Sequence, residues 1–166
     1  MNKRSTQVFA SLGLLLTAAV WGFAFVVVKD SLDYVGSVYM VAIRFSIAAI
    51  GLAIIFCKRL KKIDKKHLLM GGVTGLFLFL AYLVQTIGCS YTTAGKNAFL
   101  TTIYVILIPL IGWPLYKKRP HWHVFVAAGL SLTGIGLLAL GGDDISGINI
   151  GDILTLLCGL FFALHI

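Results

Sequence analysis

The stretch VFASLGLLLTAAVWGFAFVVV, residues 8–28, contains 21 residues without a single charge. A helix needs about 20 consecutive apolar residues to cross the hydrocarbon core of a bilayer, so this run is long enough to span one. Four further apolar runs follow it, most of them near that length. They extend over residues 35–57, 68–88, 98–116 and 124–140. The pattern predicts an all-α, polytopic transmembrane helix bundle with five spans.

The overall composition supports the same class. Hydrophobic residues make up 59% of the chain and charged residues only 12%. An 18.0 kDa soluble globule would lack the polar surface to cover itself with that composition, so we expect the lipid bilayer to surround the helices.

Positive charge falls on alternate polar segments between the runs. With the N-terminus placed in the cytoplasm, eleven Lys and Arg residues lie inside, and only Lys29 and Lys96 lie in outside loops. The eleven are Lys3, Arg4, Lys58, Arg59, Lys61, Lys62, Lys65, Lys66, Lys117, Lys118 and Arg119. This asymmetry predicts a multi-pass protein of the plasma membrane with a cytoplasmic N-terminus. The basic segment 58–66 has no alternating aromatic residues and lies between two spans, so we expect no nucleic-acid partner.

A sixth apolar run, residues 153–166, reaches the last residue of the chain. Its 14 residues would form a helix about 21 Å long, against a hydrocarbon core of about 30 Å. A terminal carboxylate left inside hydrocarbon would also be costly. The sequence therefore predicts a fragment or half of a split system, whose partner is a missing C-terminal half or a second chain.

Several segments together carry a family resemblance. They are TAAVWGFAFVVVKD at 17–30, VAIRFSIAAIGLAI at 41–54, YLVQTIGCSYTTAGKNAFLTTIYVILIPLIGW at 82–113, LSLTGIGLLAL at 130–140 and GDILTLLCGLFFALHI at 151–166. In this order they resemble the EamA-type members of the drug/metabolite transporter superfamily. The resemblance implies a ten-helix carrier of small molecules, built from two five-helix repeats of opposite orientation.

On that resemblance, residues 1–141 form the first five-helix repeat, 142–150 an outside loop and 151–166 the start of the second repeat. An odd number of spans agrees with this, because a duplicated five-span unit must insert its second copy upside down. An ungapped comparison of residues 13–25 with 151–163 gives four identities, among them Gly13 with Gly151 and Thr17 with Thr155.

The second run contains one charge, Arg44, near the middle of the bilayer. A charge at that depth is costly, so Arg44 should face protein or water. One interpretation is a binding site for an anionic group. The other is a structural arginine that bonds to backbone carbonyls or neighbouring helices, or that extends to the interface.

The third and fourth runs have the most polar side chains at helical spacing, where residues three or four apart share a face. Facing each other, they would line a substrate cavity, or they would only hydrogen-bond the bundle together. The first span adds a threonine and a deep tryptophan. The candidate cavity residues are Thr17, Trp21, Arg44, Tyr82, Gln85, Asn97, Thr101 and Tyr104. We also expect Pro109 to kink the fourth helix.

No catalytic, metal or cofactor site is predicted. His121 and His123 flank Trp122 without an evident third ligand, and no nucleophile or phosphate-loop motif occurs. The sequence therefore predicts a secondary transporter of small metabolites, such as amino acids or drugs, that works by alternating access. The alternatives are an accessory or structural membrane subunit without transport activity and, third, a membrane enzyme with sites in its loops.

Overall fold

The protein is represented by a computed structural model that describes residues 3–60, 63–117, 119–140 and 148–166. Every regular element within those ranges is an α-helix. The helices are α1 (Lys3–Ser31), α2 (Ser37–Ile55), α3 (Cys57–Leu60), α4 (Lys65–Tyr91), α5 (Ala94–Thr101), α6 (Tyr104–Tyr116), α7 (Trp122–Leu140) and α8 (Ile150–His165).

Four segments are long and apolar enough to cross a membrane. They are Gln7–Ser31, Ser37–Ile55, Lys65–Tyr91 and Ala94–Leu115. Shorter apolar helical segments follow at Trp122–Gly134 and Ile150–His165. The predicted multi-pass helical membrane protein is thus confirmed, whereas the count of five spans and the inverted-repeat architecture remain predictions. The loop predicted at 142–150 lies mostly outside the described residues.

Most of the helix surface is apolar and exposed, as a bilayer requires. In α1, every residue from Gln7 to Phe23 is exposed, including Leu14 at 72%. Leu130 of α7 is similarly exposed, at 71%. Contiguous apolar surface of this extent does not occur on soluble monomers, whereas lipid covers it without cost.

The fourth span is interrupted between α5 and α6. Around Thr102 and Ile103 the backbone N–H groups donate to the third residue back, Thr102 to Phe99 and Ile103 to Leu100. The Thr102 hydroxyl also donates to the carbonyl of Phe99, at 2.6 Å. This tighter hydrogen bonding ends α5. This interruption was not predicted. Pro109 lies within α6, and the kink expected there stays a prediction.

The short final helix α8 lies at the centre of the packing, against α4, α5 and α6. Its buried residues are Gly151, Asp152, Thr155, Cys158, Gly159 and Ala163. Glycines permit the close approach, because a Cβ on Gly88 of α4 would lie 2.9 Å from the carbonyl oxygen of Gly151. A Cβ on Gly159 would lie 2.3 Å from Ile103, at the interruption of the fourth span. Small residues at such contacts are the usual means by which membrane helices associate.

The N-cap of helix α4 is Asp64, which directly precedes the span Lys65–Tyr91. The Asp64 carboxylate accepts the backbone N–H of His67 at 2.8 Å and also contacts the His67 ring. The backbone N–H of His67 holds the pKa of the Asp64 carboxyl below its usual value, so the cap is charged at neutral pH.

Candidate substrate cavity

A cavity of about 310 Å³ lies between the helices, with walls from α1, α2, α4, α5, α6 and α8. Its size falls at the lower end of the range of small-molecule sites, about 300–1,000 Å³. The lining residues are Trp21, Ala24, Phe25, Val28, Arg44, Leu78, Tyr82, Gln85, Thr86, Cys89, Asn97, Ala98, Thr101, Thr102, Tyr104, Phe162, His165 and Ile166.

Seven of the eight candidate residues line this one cavity. They are Trp21, Arg44, Tyr82, Gln85, Asn97, Thr101 and Tyr104. Thr17 is not in the wall. It lies on the exposed part of α1, and its hydroxyl donates to the carbonyl of Gly13 at 2.9 Å within the same helix.

Lining rings from α4, α6 and α8 form one side of the cavity, and a ring of α2 that is not in the lining packs against them. The Phe162 ring of α8 meets Tyr82 of α4 edge-on, with centroids 5.2 Å apart, and lies 5.9 Å from the ring of Tyr104. Phe45 of α2 packs edge-on against Tyr82 at 5.6 Å. Phe162 was not predicted, because the helical faces of the last run were not considered. Its seven-residue spacing from the buried Thr155 is a signal that would have placed both residues on one helix face.

The guanidinium of Arg44 lies over the face of the Tyr82 ring, 5.0 Å from its centroid. Arg44 is half-buried. A cation over an aromatic face is favourable by about 0.5–2 kcal/mol, more where water is excluded. The contact fixes the position of the guanidinium in the cavity wall.

A hydrogen-bonded network joins α4, α5 and α8 and includes three lining residues of the cavity. The side-chain amide of Gln85 donates to the Thr101 hydroxyl at 3.0 Å, and the Thr101 hydroxyl donates to the main-chain carbonyl of Asn97 at 2.8 Å. The Asn97 amide donates to the carbonyl of Gln85 at 3.2 Å and to the Thr155 hydroxyl at 2.7 Å. The Asn97 side-chain oxygen is buried and has no hydrogen-bond partner. It is the one fully buried side-chain polar atom without a hydrogen-bond partner among the described residues.

A second polar cluster lies at the beginning of α8. The ammonium of Lys96 lies 2.7 Å from one carboxylate oxygen of Asp152, and the Thr92 hydroxyl donates to the other at 2.9 Å. Asp152 also forms a reciprocal cap with Asn149. The side chain of Asp152 is only 2% exposed, so the pair is buried on the carboxylate side. The cluster ties the start of α8 to α4 and α5.

Lys29 fastens α1 to the same end of the bundle. Its ammonium donates to the carbonyls of Cys89 and Ser90, at 2.8 and 3.2 Å, in the last turn of α4. The partial negative charge of a helix C-terminus favours a cation there. The prediction that Lys29 and Lys96 lie in loops is wrong, because Lys29 is in the last turn of α1 and Lys96 is in the first turn of α5. Both lysines contact other helices.

His165 is a second ionisable lining residue that was not predicted. Its Nδ1 lies 2.9 Å from the carbonyl oxygen of Thr74 on α4. Because that carbonyl can only accept, Nδ1 is the donor in this contact. An ionisable residue inside an apolar run is itself the signal that was overlooked.

Among the described residues, no group of three or more His, Cys and Asp side chains is placed to hold a metal ion. The rings of His121 and His123 stack with centroids 4.5 Å apart at the start of α7.

The cavity offers aromatic surface, hydroxyl and amide groups and one arginine, which suit the reversible binding of a small organic molecule.

A multi-pass helix bundle with such a cavity between its helices is typical of membrane carriers. Residues 8–140 match the EamA-like transporter family, and the chain belongs to that family.

Three relatives extend the comparison. The chain is 40% identical over 164 residues to an Archaeoglobus fulgidus protein named "Uncharacterized transporter", a match that covers 96% of the chain and 48% of the relative. A second A. fulgidus protein of the same name is 23% identical over 128 residues, 76% of the chain and 46% of that protein. A Haemophilus influenzae "Uncharacterized protein" is 26% identical over 119 residues, 66% of the chain and 93% of the relative. The chain spans about half the length of the archaeal relatives. No solved structure matches it.

Proposed function

We propose that the protein is part of a secondary transporter that carries small metabolites across the plasma membrane by alternating access. The cavity between α1, α2, α4, α5, α6 and α8 is the observation that supports this most strongly. It combines aromatic walls with amide, hydroxyl and guanidinium groups in the interior of a membrane bundle. Membership of the EamA-like transporter family supports the same function.

The remainder of the substrate site is supplied by a second half of the carrier or by a second chain. Support comes from the archaeal relative, of which this chain covers 48%. In a carrier of two inverted repeats, the substrate lies near the midplane between them, and rocking of one repeat against the other opens the site to each side in turn. Helix α8 would then be the first helix of the second repeat. Its packing on α4 and α5 would hold the two repeats together.

The charge asymmetry supports a cytoplasmic N-terminus. It also argues against an antiparallel pair of identical chains, because one copy would have to insert against an eleven-to-two bias. We therefore favour a covalent second half over a second, inverted copy.

Transport in reconstituted vesicles tests the proposal. The 166-residue chain is compared with a chimera that continues after Ile166 with the remaining sequence of the A. fulgidus relative that is 40% identical. We expect no saturable uptake of amino acids, sugars or nucleotide-type metabolites by the chain alone, and saturable uptake of one of these classes by the chimera.

Cavity variants provide the control. In the chimera, Gln85→Leu removes a hydrogen-bonding group from the wall, whereas Leu68→Ala changes a residue that is 71% exposed and does not line the cavity. Uptake should fall in the first and persist in the second. Saturable transport by the 166-residue chain would contradict the proposal that a second half is needed. A monodisperse chimera that transports none of the three classes would contradict the proposed transport function.

A further inference from the structure

Arg44 carries the one permanent charge among the side chains of the cavity wall, and that charge is positive. The chain contains no glutamate, and no aspartate belongs to the lining residues. The lining also includes Ile166, the last residue, whose main chain carries the terminal carboxylate. The two ion pairs found among the described residues join His67 to Asp64 and Lys96 to Asp152, and neither involves Arg44.

Arg44 therefore has unused binding capacity at a defined place. A guanidinium has five N–H donors in a planar fork that suits a carboxylate or phosphate group. The Tyr82 ring, 5.0 Å away, stabilises the charge but accepts none of these hydrogens in the plane of the fork. In an apolar wall, an anionic group on a ligand is the partner that would satisfy them.

Asn97 supplies the second unused group. Its amide hydrogens go to the Gln85 carbonyl and the Thr155 hydroxyl, and the hydroxyl cannot donate in return because its own hydrogen goes to the carbonyl of Gly151 at 2.6 Å. Rotating the amide by half a turn would place two acceptors against each other, so the side-chain oxygen is fixed as the orphaned atom. This oxygen is a pure acceptor, and only a donor hydrogen can satisfy it.

We infer that the cavity binds a small organic anion that also carries a hydrogen-bond donor. The anionic group pairs with Arg44, the donor reaches the side-chain oxygen of Asn97, and the apolar part of the ligand packs against Tyr82 and Phe162. The inference deepens the proposed function by naming the substrate class. It rests on that proposed function in one respect, which is that the bound molecule is the transported substrate. Asn97 is fully buried, so its contact requires a small displacement of the wall and contributes less than the Arg44 pair.

Three matched probes separate these contacts. 3-Phenyllactate has a carboxylate, a hydroxyl donor and an aromatic body. Its methyl ester lacks the charge, and 3-phenylpropionate lacks the hydroxyl. Binding to the purified 166-residue chain in detergent micelles is measured by isothermal titration calorimetry. We expect the acid to bind about tenfold or more tightly than the ester, and about two- to fivefold more tightly than 3-phenylpropionate, as is usual for charged and neutral hydrogen bonds.

Variants assign each preference to its residue. Arg44→Gln should remove the preference for the acid over the ester, and Arg44→Lys, which keeps the charge, should retain most of it. Arg59→Gln is the matched control, because the Arg59 guanidinium also lies over an aromatic ring, that of Phe56 at 5.7 Å, but outside the cavity. It should leave every preference unchanged.

For the donor contact, Asn97→Leu should abolish the preference for 3-phenyllactate over 3-phenylpropionate. If this variant does not fold, the comparison of the two probes on the unaltered chain decides the question by itself.

Equal binding of acid and ester, no saturable binding of the acid, or an acid preference that persists in Arg44→Gln would overturn the anion assignment. Equal binding of 3-phenyllactate and 3-phenylpropionate would contradict the requirement for a hydrogen-bond donor on the ligand. None of these results depends on transport. Tight acid binding by a chain whose extended chimera transports nothing would refute the transporter and leave the anion site intact.

Discussion

Replacing Gly88 with alanine tests whether the contact between α4 and α8 holds the bundle together. The added Cβ would lie 2.8 Å from the Thr155 hydroxyl and 2.9 Å from the Gly151 carbonyl oxygen, where ordinary contact begins at 3.4 Å. Because the second of these atoms is backbone, α8 must move away by about 0.5 Å. That displacement would lengthen the 2.7 Å hydrogen bond between Asn97 and Thr155 to about 3.2 Å, which weakens it.

The magnitude follows from two opposing effects. Overpacking of a tight contact costs about 1–3 kcal/mol, whereas alanine favours a helix over glycine by about 1 kcal/mol. Gly72→Ala on the same helix isolates the second effect, because a Cβ on Gly72 meets nothing within 4 Å. We therefore expect Gly88→Ala to unfold at a free energy about 1–3 kcal/mol below that of Gly72→Ala. The assay is titration with sodium dodecyl sulfate in mixed micelles, followed by tryptophan fluorescence and circular dichroism. Equal stability of the two variants would refute the reasoning.

Two further predictions concern the ends of the bundle. Lys96→Met strands the buried carboxylate of Asp152 and should lower the free energy of unfolding by about 3 kcal/mol in the same titration, while adding Asp152→Asn should recover part of the loss; an unchanged single variant would show that the pair contributes nothing. In a background without native cysteines, an impermeant maleimide should label Tyr34→Cys in intact cells and Lys65→Cys only after permeabilisation. The reverse labelling would overturn the predicted orientation.

Helical periodicity made much of the cavity predictable. Tyr82 and Gln85 are three residues apart on one helix, and Asn97, Thr101 and Tyr104 follow at intervals of four and three on the next. Polar side chains in an apolar run must avoid lipid, so each set was expected to face protein. All five residues line one cavity, as helical periodicity predicted. The prediction holds despite the interruption after Thr101. Asn97 and Thr101 precede the interruption, so it changes the direction of Tyr104 alone.

Contacts between distant parts of the sequence were beyond that argument. Lys96 and Asp152 were each placed on the outside from charge counting, but nothing local indicates that they pair. The close approach of Gly88 to Gly151 likewise depends on the fold, because the two glycines are 63 residues apart in the sequence. For the same reason the last run, judged by its length, gave no sign that α8 would be the helix with the most deeply buried polar face.

Lys29 and Lys96 show how the predicted topology and the packing interact in this chain. The predicted orientation places both lysines toward the outer side, against the positive-inside preference. Here the Lys96 ammonium is 2.7 Å from a buried carboxylate, and Lys29 donates to two carbonyls at a helix C-terminus. Neither charge is simply solvated, so both act in holding α1, α5 and α8 to the end of α4. The two lysines that depart from the predicted charge asymmetry are therefore lysines that the packing of α1, α5 and α8 uses.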